Sequence, residues 1–140
     1  IDLAQQAVQA SGFEKQILPV LGYIPGLPLN DDSFDAILSK DLLHHLPDPM
    51  LIWSEAKRLA KPGAAIYFMD LLRPLTPEDA RMIVESVAAT EHPILKEDFY
   101  NSLCAAFTVA ETKEQLRRAG LSLDVAQVSE RHMLIKGLIN

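Results

Sequence analysis

The sequence lacks several features that would point to particular classes of protein. Its single cysteine, Cys104, cannot form an intrachain disulfide, and its place in an apolar helical pattern predicts a buried thiol. Nineteen acidic residues outnumber 13 basic ones, and this net charge of −6 argues against a nucleic-acid partner. No apolar run reaches the roughly eighteen residues of a membrane span, and no signal-like start is present. We therefore expect a cytoplasmic protein with no membrane partner.

The middle of the chain predicts a strand, a helix and a second strand. The 140 residues, 49% hydrophobic and 23% charged, suit one globular domain. Phe34–Ser39 is a short apolar run after a turn-forming cluster, Asn30–Ser33, which indicates a buried strand. Residues 49–60 have helical apolar spacing, and Lys61-Pro62-Gly63 predicts the helix stop. Residues 64–71 are almost all apolar, as in a central parallel strand, so the three segments predict a crossover unit.

The two ends of the chain add helices and edge strands. A weak helical pattern covers residues 4–11 and ends at Gly12, and residues 17–24 predict a strand that Pro19 confines to a sheet edge. Beyond Arg73, capping signals and apolar spacing predict helices from Thr76 to about Glu91, around 99–107, and from Thr108 to Gly120. Residues 121–125 and 133–139 then predict an antiparallel hairpin.

Polar residues follow both central strands at their carboxyl ends. Ligands of an open parallel sheet bind beyond these ends, so the polar residues are expected to surround one crevice. The residues placed around this crevice are Ser39, Lys40, Asp41, His44 and His45 after the first strand, and Asp70, Leu71, Leu72 and Arg73 after the second.

Three segments carry a resemblance to a known family. SFDAILSKDLLHHLPDP, WSEAKRLAKPG and IYFMDLLRP resemble the later motifs of class I S-adenosylmethionine-dependent methyltransferases, most closely the bacterial small-molecule type. The resemblance implies an α/β, Rossmann-like sheet, mostly parallel with an antiparallel C-terminal hairpin. It also implies S-adenosylmethionine as cofactor and methyl transfer to a small-molecule acceptor. It covers nearly the whole chain as a single partial domain, 1–140, with a helical insertion at about 75–108 that forms an acceptor lid or a plain covering layer.

The resemblance also assigns four cofactor-binding residues: Asp2, Tyr23, Ile24 and Ser39. Asp2 stands where the family has a ribose-binding aspartate, and a carboxylate can accept two hydroxyl hydrogen bonds, although an N-cap explains it as well. Tyr23 follows Gly22 where the family usually has an acidic residue for the adenine. Tyr23 would then stack on or flank the adenine, or be a half-buried tyrosine at a strand end.

His44 and His45 are the candidate catalytic residues. Neighbouring histidines on a helical turn point in different directions, so we expect no metal site. The resemblance implies that one histidine orients or deprotonates the acceptor while the other packs locally, and that Arg73 binds the substrate. Asp41 is a weaker candidate for the same work, since a helix-capping aspartate explains it equally well.

The family's first strand and its glycine-rich loop are not found in these residues, and Gly22 and Gly26 do not replace them. The resemblance places that strand at the centre of the sheet, so a gap with unpaired backbone is expected. The chain is then a piece of a longer one, or another chain fills the gap, or the fold is rearranged. We expect a homodimer through the exposed sheet edges. The competing function is a non-catalytic methyltransferase-like binding or assembly module that cannot hold the cofactor.

Overall fold

The computed structural model describes residues 1–140, which form five α-helices and four strands. The helices are α1 (Asp2–Ser11), α2 (Met50–Leu59), α3 (Pro77–Val87), α4 (Pro93–Ala105) and α5 (Val109–Ala119). The strands are β1 (Phe34–Lys40), β2 (Ala60–Leu71), β3 (Asp124–Gln127) and β4 (His132–Leu138), and a short 3₁₀ turn, Leu43–His45, follows β1. None of the helices has both the length and the apolar character that a bilayer crossing requires.

The four strands form one mixed sheet in the order β1-β2-β4-β3. β1 runs parallel to β2, with Ile37 opposite Ile66, and β4 is antiparallel to both β2 and β3. The predicted crossover unit and the predicted C-terminal hairpin are therefore confirmed. The prediction that the first strand is buried was wrong, because none of the residues of β1 is buried, and β2 is covered mainly on one face. β1 has only β2 as a neighbour, so its other edge is unpaired.

The main core lies between one face of the sheet and helices α2 and α5. Ile66 and Phe68 of β2 are buried there together with Trp53 of α2. The Trp53 ring stacks on Phe68 with centroids 5.4 Å apart, and its indole N–H donates to the Gln115 side-chain oxygen at 3.1 Å. A buried indole N–H needs such an acceptor, so this contact fixes α2 against α5.

The middle of the opposite sheet face is left open to solvent. Leu38 of β1 is 74% exposed, Tyr67 of β2 is 44% exposed and Leu138 of β4 is 59% exposed. Leu38 pairs with Tyr67 across the sheet, and Leu138 pairs with Ala65. Ala65 and Tyr67 are two residues apart on β2 and lie on the same face, so Leu38, Tyr67 and Leu138 share that face. We call Leu38, Tyr67 and Leu138 the open face.

Helices α3 and α4 pack beside the end of β2 around Leu71 and Leu103. The capping signals in the sequence set the ends of α3 and α5 as predicted. Thr76 and Thr108 form capping boxes with Asp79 and Glu111 at the starts of α3 and α5, and Gly120 ends α5 in a left-handed conformation (φ 66°) that favours glycine.

The prediction of a strand at residues 17–24 was wrong, since no regular element lies between Ser11 and Phe34. Pro19 provides no backbone donor, and no neighbouring strand is present there to pair with. The helix stop was also placed differently: α2 ends at Leu59 because Ala60 is already extended (φ −77°, ψ 130°). Lys61-Pro62-Gly63 therefore lies within β2, where the pairing with β1 is irregular between Phe34 and Ala36.

The prediction of a buried Cys104 was wrong, because the thiol is exposed. Helix α4 buries only Leu103 fully, so the neighbouring position of the helix faces solvent. The helix at the start of the chain is confirmed, and Gly12 ends it with φ 74°. Its N-cap is Ile1 rather than Asp2, so the capping role considered for Asp2 was wrong.

Candidate functional site

A buried carboxylate organises the crevice at the carboxyl ends of β1 and β2. Asp70, near the end of β2, accepts hydrogen bonds at Oδ2 from the backbone N–H groups of Leu42 and Leu43, at 2.8 Å each. Its Oδ1 accepts from the N–H of Leu71 at 3.0 Å and of His44 at 3.3 Å. The carboxylate therefore caps the 3₁₀ turn from the neighbouring strand, and the turn is held over the sheet end.

The two adjacent histidines have different environments. His44 is buried, and its Nδ1 lies 2.7 Å from Asp70 Oδ1. His45 is exposed, with its ring centroid 4.0 Å from that of His44. One histidine therefore packs locally, and the other is free to meet a ligand. No group of three or more His, Cys, Asp or Glu side chains is placed to hold a metal ion.

Asp41 joins β1 to the 3₁₀ turn with a left-handed backbone (φ 53°), which aspartate tolerates better than most residues. The capping role considered for it was wrong, because Asp70 takes the N–H groups of the turn. One Asp41 oxygen pairs with Lys40, while Oδ1 is buried and has no hydrogen-bond partner. An unpaired buried carboxylate oxygen at a strand end is a site for a ligand N–H or O–H.

The segment before β1 is held against α2 by two charged side chains. Glu55 is buried and accepts from the N–H groups of Gly26 and Leu27, at 3.2 and 2.9 Å. Arg58 donates to the carbonyl oxygens of Leu29 and Leu27 and to Glu55. The hydrogen bond from Arg58 lowers the pKa of Glu55 from 4.5 to about 2, although burial opposes this shift.

Two of the four predicted cofactor residues share a cavity. Ile24 and Ser39 line a space of about 160 Å³, most of whose other walls are apolar side chains of β1 and α2. The space is large enough for a flat ring but well below the roughly 300–1,000 Å³ of a typical ligand pocket. The space that Ile24 and Ser39 line is therefore too small for the whole cofactor.

The other two predicted cofactor residues lie outside this cavity. Tyr23 is 86% exposed, so the interpretation as a half-buried strand-end tyrosine was wrong. Gly22 beside it makes a close approach to Leu27, since a side chain added at Gly22 would collide with that residue. Asp2 is exposed in the first turn of α1, a helix that buries none of its residues.

Arg73 lies apart from the two histidines, in a larger cavity of about 750 Å³. This cavity is bounded by the segment after β2, by α3, by the start of α5 and by the β3–β4 turn. The Arg73 guanidinium pairs with Glu111. Burial alone would raise the pKa of Glu111, but hydrogen bonds from Thr108 and Arg73 outweigh it and lower that pKa.

A third histidine stands at the same edge of the sheet. His132 begins β4 opposite Leu71, and its Nδ1 lies 3.0 Å from Ser129 Oγ. Burial lowers the pKa of His132, and the nearby Arg131 charge lowers it further. Asp41 and Asp70 act in the opposite direction, so His132 senses the same carboxylates that surround the crevice.

The sequence placed Asp70 at the crevice without giving it a role, and it did not single out Glu55. Asp70 had a readable signal, since it is a lone acidic residue in an otherwise apolar strand, and buried carboxylates need partners. Glu55 had a weaker one, a glutamate three residues before an arginine on a helix. Neither signal identifies the backbone groups that these side chains hold.

Comparison with known proteins finds a methyltransferase family model and several related sequences. A family model described as a methyltransferase domain matches residues 1–68. An uncharacterized protein of Escherichia coli, YafE, is 32% identical over 94 residues, which cover 66% of this chain and 45% of that protein. The 27-O-demethylrifamycin SV methyltransferase of Amycolatopsis mediterranei is 29% identical over 101 residues, 72% of this chain and 34% of that enzyme. The chain thus spans less than half the length of these relatives.

Solved structures share the fold. A SAM-dependent methyltransferase from Aquifex aeolicus superposes with a TM-score of 0.73 at 19% identity, over 100% of this chain and 63% of that one. The strand order, the motifs at the carboxyl ends of β1 and β2, and these relatives agree, and the family implies S-adenosylmethionine as cofactor. Residues 1–68 match the methyltransferase domain, and the whole chain has the Rossmann-like fold of S-adenosylmethionine-dependent methyltransferases.

Proposed function

We propose that this chain contributes to S-adenosylmethionine-dependent methyl transfer to a small-molecule acceptor. The observation that carries the proposal is the crevice where β1 and β2 end, with its turn fixed by Asp70 and with the buried Asp41 Oδ1 left without a partner. A relative named as a methyltransferase of a rifamycin supports a small acceptor.

On this proposal Ile24 and Ser39 bind the ring portion of the cofactor in the cavity that they share. Asp2 and Tyr23 would complete the cofactor site only if α1 and the segment after it lie closer to β1 than they do here. The bound cofactor supplies a methyl group on a positively charged sulfur. The protein's main task is then to align the acceptor with that methyl group, which can lower the barrier by about 7–11 kcal/mol.

The two histidines take separate roles. His44 positions the 3₁₀ turn through Asp70, while His45 is exposed and takes the proton that a hydroxyl or amine acceptor loses. A general base of this kind contributes roughly 10²–10⁴-fold. The unpaired Asp41 Oδ1 accepts a hydrogen bond from the ligand, and Arg73 contacts the acceptor from the larger cavity.

We further propose that residues 1–140 form one partial methyltransferase domain, in which α3 and α4, within the predicted insertion at 75–108, cover the acceptor. Contacts between α4 and the 3₁₀ turn support this arrangement. The unpaired edge of β1 and the open face support a homodimer. A single free thiol is compatible with a reducing compartment such as the cytoplasm.

The non-catalytic alternative is favoured by one observation, that the cavity lined by Ile24 and Ser39 is too small for the whole cofactor. The gene sequence before the Ile1 codon separates the two functions. A glycine-rich segment after a predicted strand there supports the enzyme, and its absence supports the binding module.

Transfer of a radiolabelled methyl group by the full gene product to a panel of phenols, quinols and amines tests the enzyme directly. We expect His45→Gln to lower kcat by about 10²-fold or more with little change in KM. His44→Gln should lower activity through disorder of the turn, seen as a parallel loss of stability. If the His44→Ala, His45→Ala double variant turns over an identified acceptor as fast as the wild type, the site is misplaced.

A further inference from the structure

The cavity that contains Arg73 lies between α3, the start of α5 and the β3–β4 turn. Its volume of about 750 Å³ lies within the roughly 300–1,000 Å³ range of small-molecule pockets. His44 and His45 do not line it. It therefore needs an explanation separate from the crevice at the 3₁₀ turn.

The walls of this cavity offer no free positive charge. Arg73 is the only basic residue among them, and Glu111 already holds its guanidinium. The Asp79 carboxylate is also engaged, because it accepts from the backbone N–H and the hydroxyl of Thr76. An anionic ligand would thus meet no available cation, in a chain whose net charge is already −6.

Apolar side chains form most of the remaining wall, and two hydrogen-bond acceptors stand at the β3–β4 turn. Leu75 and Met82 present exposed apolar surface. Gln127 donates its amide N–H to Ser129 O at 2.8 Å, which leaves its side-chain oxygen free. The Glu130 carboxylate has only Arg131, at 3.6 Å, as a charged partner. Both groups can accept a hydrogen bond from a ligand.

We propose that this cavity binds the body of the methyl acceptor, and that the acceptor is a largely apolar molecule that has no anionic group and carries a hydroxyl or amine donor. The assignment of the ligand as the acceptor rests on the proposed function. The assignment of its chemistry rests on the cavity walls alone, so it can be tested without cofactor or turnover.

Two probes with the same ring system separate the effect of ligand charge on binding from the effect of ligand shape. N-phenyl-1-naphthylamine is neutral and apolar and has one N–H donor, and 8-anilino-1-naphthalenesulfonate adds an anionic group. The methyl groups of the four methionines report where each probe binds. Met82 lines this cavity, Met69 lies in β2, Met50 is at the start of α2 and Met133 is in the core.

In carbon-13 methyl spectra of the chain we expect the neutral probe to shift the Met82 signal saturably, and the sulfonate to bind at least about tenfold more weakly. Ser86 is exposed at the cavity wall, and Ser86→Trp should weaken binding of the neutral probe about tenfold. Val87 is the next residue on α3 and does not line the cavity, so Val87→Trp should change the affinity for the neutral probe by less than about twofold.

Three results would overturn the proposal: a shift of Met69 or Met50 in place of Met82, equal binding of the two probes, or no effect of Ser86→Trp. Failure of methyl transfer, with these shifts intact, would reject the proposed function and keep the cavity's ligand chemistry.

Discussion

His44 Nδ1 lies 2.7 Å from Asp70 Oδ1, and both side chains are almost completely withdrawn from solvent. The same carboxylate receives the N–H groups that open the 3₁₀ turn. The pair therefore joins the end of β2 to the loop after β1, and the geometry of the crevice depends on it.

Replacing Asp70 by asparagine tests this anchor. The amide has one oxygen where the carboxylate has two, so part of the set of backbone donors loses its acceptor. Because hydrogen bonds to a charged group contribute about 1.5–3 kcal/mol each, we expect the free energy of unfolding to fall by about 3 kcal/mol. Urea unfolding measures the change. Asp35→Asn, on the exposed part of β1, is the control and should cost less than about 1 kcal/mol; equal losses would contradict the anchor.

Glu55 predicts a pH dependence of stability. Its pKa is about 2 in the folded chain against 4.5 ordinarily, so the folded state binds the proton less tightly than the unfolded state. The stabilisation is therefore complete above about pH 4.5 and is lost as the pH falls towards 2. Glu55→Gln should flatten the unfolding free energy across this window. Glu91→Gln, at an exposed position, should leave the curve unchanged, and a slope in Glu55→Gln equal to that of the wild type would refute the assignment.

The unpaired edge of β1 and the open face predict self-association. An exposed strand edge offers unpaired backbone N–H and C=O groups that a strand of a second copy can pair with. We expect sedimentation velocity to show a dimer whose population rises with concentration, and Leu38→Lys to weaken it at least about tenfold.

Leu95→Lys is the matched control, since Leu95 is exposed on α4, away from the sheet. It should leave the dimer intact. A monomer at all concentrations with a single cooperative melt would show that the sheet needs no partner.

Cofactor binding by the 140-residue chain gives another test. Because the cavity of Ile24 and Ser39 holds about 160 Å³, we expect calorimetry with S-adenosylmethionine to show no binding at micromolar concentrations. Free adenosine is the control, since it contains the ring that fits. Micromolar binding of the whole cofactor to the monomer would show that the chain assembles a complete site without a glycine-rich loop.

Local signals in the sequence were sufficient for most of the fold. The capping boxes at Thr76 and Thr108 specify helix starts by contacts within four residues, and the apolar run of β2 specifies a strand, of which one face is buried. Where the predicted structure depended on a distant partner, the local signal led to a wrong prediction. Residues 17–24 look like a strand but have no neighbour to pair with, and Cys104 follows the apolar pattern of α4 on a side that nothing covers.

The sequence by itself therefore determined the family, the crossover unit, the C-terminal hairpin and the position of the crevice at the strand ends. Only the tertiary structure decided which histidine is buried, that Asp70 and not Asp41 caps the 3₁₀ turn, and that Arg73 pairs with Glu111 in a separate cavity. The physical reason is that these contacts join residues 26 to 38 positions apart. Their geometry follows from strand register and helix packing, which no short stretch of sequence contains.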